Sequence, residues 1–211
     1  MQYPAFFDKV QPIVLYDPLA EFLGAATNGR VEYTYLDAVK LAGHSCPTVA
    51  GAYLMTMKAL QALYPAATPE RGAVRVRLRG DMEFGVTGVI ANVVGLITGA
   101  TQTNGFRGIA GRFDRRDLLF FDACIDADIH FERIDSASAV TVAYRADLVP
   151  GSARLKVLAG KLGTLGLSAE EQREFGVEWQ ARVEQILIEE ADNPALAVVK
   201  AASPAVADTP N

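Results

Sequence analysis

Apolar and polar positions along the chain fall into three regimes, and each predicts its own elements. In the first, IVLY at 13–16 and RVEYTY at 30–35 are short β-branched and aromatic runs, the pattern of strands. Between them Asp17-Pro18 opens a helix through LAEFLGA, and Asn28-Gly29 turns the chain back. LDAVKLAG predicts a short helix closed by Gly43, because glycine takes the left-handed conformation that ends a helix. Val49, Tyr53, Met57, Leu60 and Tyr64 then recur at spacings of three and four, one apolar stripe along a helix over 47–64. Pro47 suits its first turn, which leaves Cys46 at or beside the N-cap.

In the middle regime AVRVRLRG alternates apolar residues with arginine over 73–79, a half-buried strand. It exits through Gly80-Asp81-Met82-Glu83 into TGVIANVVGLITG, which reads as a buried helix. Residues 98–116, rich in Gly, Thr and Arg, predict an extended loop. LLFFDAC (118–124), DIHFERI (128–134) and AVTVAYR (139–145), joined by short polar connections, predict an antiparallel meander.

The third regime is helical again after Pro150-Gly151. Ser168 and Glu171 form a capping box, and Phe175, Trp179, Val183 and Ile186 make a stripe that runs to about residue 190. Residues 193–211 offer little to pack and are expected to be a disordered tail. Together the pattern predicts one α+β domain over 1–192, a mostly antiparallel sheet packed by helices, with a C-terminal helical extension over 150–191. The regular strand-helix alternation of a doubly wound parallel sheet is absent from the pattern.

Composition narrows the function classes. The 211 residues are half hydrophobic and carry a net charge of −5, a balance with no general attraction to phosphate backbones, so nucleic acid is excluded as a partner. No run of 18 apolar residues occurs, and MQYPAFFDKV lacks the basic and apolar regions of a secretory signal; the expectation is a cytoplasmic protein with no membrane partner. Histidine (His44, His130) and cysteine (Cys46, Cys124) are equally scarce, two of each. In a reducing compartment such cysteines are more often free, metal-binding or catalytic than paired.

One of each stands in AGHSCPTVAG. A thiol at a helix N-terminus meets unpaired amides and the positive end of the dipole, which stabilise its thiolate, and His44 reaches the same space. Thiolate and imidazole suit zinc or another divalent transition metal; the same pair can instead work as nucleophile and base, with Cys46 catalytic. Asp81 and Glu83, at the strand exit, are the nearest acidic candidates, with Glu83 taken as the third ligand. Cys124 and His130 flank the expected hairpin and can converge on the site, although core packing is the better reading of both. Thr98, Thr101, Thr103, Asn104 and Arg107 can offer hydroxyls, an amide and a cation to a small oxygen-rich or anionic ligand. The loop contains neither GxGxxG nor GxxxxGK[ST], so no nucleotide is inferred. A Cys-Pro junction can also hold haem iron, which leaves a non-catalytic haem- or cofactor-binding module as the alternative class.

Gly43-His44-Ser45-Cys46-Pro47 stands ahead of an apolar helix closing in Ala59-Leu60, and a strand, a helix and Thr98-Gly99-Ala100-Thr101 follow. Over residues 36–145 this order resembles the FmdE family, which takes its name from formylmethanofuran dehydrogenase. The resemblance implies an α+β core, commonly a homodimer, in which His44 and Cys46 line a cavity able to hold zinc. It also implies an oxidoreductase partner for some members. The chain departs from the family at Thr48, where glycine is usual, and at Ala100 and Asp81-Met82-Glu83, where cysteines occur. No cysteine follows Cys124, so the C-terminal zinc finger of some members is not expected here.

Overall fold

The computed structural model describes residues 3–205. Two strands, β1 (Ile13–Tyr16) and β2 (Arg30–Tyr33), pair antiparallel with Ile13 opposite Tyr33. The helix between them, α1 (Pro18–Phe22), starts at Asp17, whose carboxylate accepts the amides of Leu19 and Ala20. Next come α2 (Tyr35–Ala42), ended by Gly43 at φ 75°, and α3 (Pro47–Leu63), capped by Cys46 as the sequence predicts. Strand β3 (Val74–Leu78) leads into α4 (Thr87–Thr98), and β4 (Leu119–Phe120), β5 (Ile129–Arg133) and β6 (Ala139–Tyr144) follow the loop. Helices α5 (Ala153–Leu162) and α6 (Ala169–Glu184) and strand β7 (Ala197–Ala202) complete an α+β fold. Among the described residues no helix is long and apolar enough to cross a membrane.

Helix α3 is the axis of the core. Thirteen of its seventeen residues are buried, which exceeds the single stripe expected from the spacing. It packs against α2 and α4 and against β5, β6 and β7, so almost every side chain meets protein. A helix apolar nearly all round is stable only in such a setting.

The large sheet has the order β4-β3-β5-β6-β7. This corrects the expected meander: β4 pairs parallel with β3, Val76 opposite Leu119, and β3 rather than β4 lies beside β5. LLFFDAC yields only two strand residues because Asp117 and Asp122 take φ of 55° and 58°, which breaks the extended run on both sides. The tail expectation is also corrected. Ala197–Ala202 pairs antiparallel with β6 from Tyr144↔Ala197 to Ala139↔Ala202, and Leu196 and Ala197 are buried. The outer edge of β6 presents unpaired amides and carbonyls, and these small and β-branched residues satisfy them. Residues 206–211 of that expected tail lie outside the described residues.

The capping box forms as predicted. Ser168 Oγ accepts the Glu171 amide at 3.2 Å, and Glu171 accepts the Ser168 amide at 3.1 Å. Ser168→Ala is therefore expected to cost about 1 kcal/mol, read as a lower thermal midpoint.

Candidate functional site

The His44-Ser45-Cys46 turn is built by its two flanking helices. The Gly43 amide closes α2 on the Val39 carbonyl at 2.9 Å, and beyond the turn the Cys46 carbonyl opens α3 by accepting the Ala50 amide. Cys46 is 9% exposed, and its Sγ accepts the Val49 amide at 3.5 Å. His44 is exposed, with Nδ1 2.9 Å from the Ala42 carbonyl oxygen. A carbonyl only accepts, so Nδ1 is the donor in this bond, and Nε2 is the ring nitrogen left to face a ligand.

Between the two donors Ser45 is held from three sides. Tyr35 and Ser45 share a hydroxyl–hydroxyl bond of 2.9 Å, and the Ser45 carbonyl accepts Trp179 Nε1–H at 3.0 Å and Gln180 Nε2–H at 3.2 Å. Tyr144 donates to the Pro47 carbonyl at 3.1 Å. Burial pushes the phenols of Tyr35 and Tyr144 far above their ordinary range, so both stay protonated. Sequence reasoning missed all four of these supporting residues. The one signal was Trp179, the sole tryptophan of the chain, standing on the stripe of α6.

The remaining expected ligands do not join the pair. Glu83 and Asp81 are exposed in a local turn in which Asp81 Oδ1 accepts the Glu83 amide at 2.8 Å. Among the described residues no three His, Cys, Asp or Glu side chains form a group that could hold a metal ion. His44 Nε2 and Cys46 Sγ fit zinc by donor chemistry, and among the described residues no third ligand joins them.

The loop residues divide. Thr98 is buried, donating to the Val94 carbonyl at 2.8 Å and accepting the Ala100 amide at 3.2 Å. Thr101 donates to the Arg115 carbonyl at 2.5 Å. Both hydroxyls are thus spent on the fold, whereas Asn104 and Arg107 are exposed. Of this loop, Gln102 and Thr103 reach a groove of about 1970 Å³, and Thr98, Thr101, Asn104 and Arg107 do not line it.

The groove lies on the face of the large sheet opposite α3. Alternation puts Val74, Val76, Ile129, Phe131 and Val142 toward the helices and Arg75, Arg77, His130, Thr141 and Lys200 toward the groove. Glu132 shares this second face and accepts Arg75 at 3.0 Å and Arg77 at 2.9 Å. His130 is 3% exposed, as core packing predicts, yet it faces the groove; its Nδ1 has no hydrogen-bond partner among the described residues. Cys124 is exposed on the rim, which corrects its expected core position. Since β4 is not paired with β5, Cys124 and His130 do not flank a hairpin. Neither His44 nor Cys46 lines the groove, so the turn and the groove are separate places.

Compared with protein-family models the chain matches none, and no curated protein matches it either.

Proposed function

We infer that the chain is a metal-binding protein of the kind its resemblance implies, with His44 and Cys46 as core ligands for zinc or another divalent transition metal. The observation that carries this reading is the fixing of Ser45 by Tyr35, Trp179 and Gln180. A short connection between helices does not need restraint from α6, more than 130 residues away in sequence. Held so, both donors lose little freedom when an ion arrives. The Ala42 carbonyl supports His44 in the manner of an outer hydrogen-bond partner, leaving Nε2 as the ligating atom. At the α3 N-cap the Val49 amide supports the Cys46 sulfur.

When bound, the ion supplies Lewis acidity and an anchor for a small-molecule ligand. Two donors leave positions open, and a homodimer is the natural source of a third. Met82, Phe84 and Val86 are exposed around Glu83, an apolar turn of the kind a second copy covers. The test is elemental analysis of the purified full chain and of His44→Ala and Cys46→Ala, each checked for folding by circular dichroism. Stoichiometric zinc in wild type and its loss in both variants is expected; equal zinc in all three, or none in any, overturns the reading.

A further inference from the structure

Strand β5 places two buried polar side chains, His130 and Glu132, side by side on the groove face, 3% and 6% exposed. Each takes one backbone group of the segment that follows β7. His130 Nε2 lies 3.1 Å from the Ser203 carbonyl oxygen, and the Ala205 amide donates to Glu132 Oε2 at 3.2 Å. The carbonyl of one residue and the amide two residues later point to the same side of an extended chain, so the two side chains match the repeat of an extended backbone. Neither contact depends on a side chain of the segment.

Among the described residues the segment adds little else to its own hold. Ser203 and Pro204 are exposed, Ala205 is half-buried, and Pro204 has no amide proton. A stretch without buried apolar contacts opens at small cost. His130 and Glu132 cannot leave with it, because both sit in the middle of the sheet; Glu132 keeps Arg75 and Arg77, whereas His130 Nε2 loses its hydrogen bond, and a buried polar group requires a partner. The groove of about 1970 Å³ runs on beside the segment and is walled on that side by Ala202, Ser203 and Ala205.

We propose that His130 and Glu132 form a clamp for an extended polypeptide backbone and that Ser203–Ala205 is its displaceable resident ligand. A peptide segment with small side chains takes the same place in trans when the resident leaves. The mode is main-chain recognition, in which the backbone gives affinity and the neighbouring groove gives preference. It rests on contacts remote from His44 and Cys46 and is independent of metal binding.

The experiment uses the full chain and a fluorescein-labelled peptide with the sequence of residues 202–211, followed by anisotropy. Ala205→Pro removes the amide that Glu132 accepts, so the resident is weakened and the peptide should bind about tenfold more tightly than to wild type. Adding His130→Ala to Ala205→Pro should abolish that gain, with circular dichroism confirming the fold. In wild type, the Ala205 amide should exchange with deuterium faster than the amides of β6. Equal peptide binding by all three proteins, no binding to Ala205→Pro, or Ala205 exchange as slow as that of β6, each overturns the clamp.

Discussion

Asp17→Ala should destabilise the protein by about 3–5 kcal/mol, the cost of breaking a buried ion pair from one side. Asp17 is 4% exposed and does three things at once. Its Oδ1 accepts the amides of Leu19 at 2.9 Å and Ala20 at 3.1 Å, capping α1. The same oxygen meets Arg115 Nη2 at 2.8 Å, and Oδ2 meets Arg71 Nη1 at 3.0 Å. Arg71 has further acceptors in the carbonyls of Leu96 and Ile97, but Arg115 is 5% exposed and its Nε and Nη1 have no partner among the described residues. Without Asp17 the Arg115 charge stays buried and uncompensated. Urea denaturation should show a lower midpoint at unchanged slope; a shift worth less than about 1 kcal/mol would contradict this account.

The same carboxylate sets an acid limb. Burial pushes the Asp17 carboxyl up, yet the Ala20 amide together with Arg115 and Arg71 holds it below the ordinary range. A folded-state value below the unfolded one means that its stabilisation is complete above the ordinary range, about 3.9, and is lost as pH falls through the lower folded value. Asp17→Asn should therefore start less stable at neutral pH and show a shallower decline below about pH 4.

Gly51→Ala is the second large effect. A methyl at this position in α3 would lie 2.3 Å from Cε1 and 2.6 Å from Cδ1 of the Tyr144 ring. The ring cannot swing away, since β6 fixes one end and the bond to the Pro47 carbonyl fixes the other. Overpacking of this kind costs about 1–3 kcal/mol, and the better helix propensity of alanine returns no more than about 1 kcal/mol. A net loss is expected, with loosening of the first turn of α3 that Tyr144 supports. In Tyr144→Val the obstruction is gone, so adding Gly51→Ala there should cost less than it does in wild type; full additivity of the two changes would refute the steric account.

What the sequence made legible was local. The Cys46 cap, the Gly43 stop and the Ser168–Glu171 box are written in neighbouring residues, helix period carried α3, and the apolar run TGVIANVVGLITG carried α4. Alternation in DIHFERI put His130 and Glu132 on one face but could not say what that face meets. The parallel place of β4 and the arrival of β7 beside β6 depend on pairing across the chain. Asp117 and Asp122 did carry a signal, because aspartate tolerates the left-handed region better than most residues and can interrupt an aromatic run. Of the site, the turn with His44 and Cys46 was readable. Its support from α6 was not, because Trp179 and Gln180 reach Ser45 only after the chain has folded back.

The late position of β7 has a consequence for biosynthesis. Until residues 197–202 leave the ribosome, the nascent sheet ends at β6, whose residues AVTVAY are uncharged, β-rich and open along one side. That interval is the chain's exposure to wrong pairing with another copy. Once β7 docks, the new border carries Lys200 and runs into Pro204, a charge and a missing donor that both discourage a further strand.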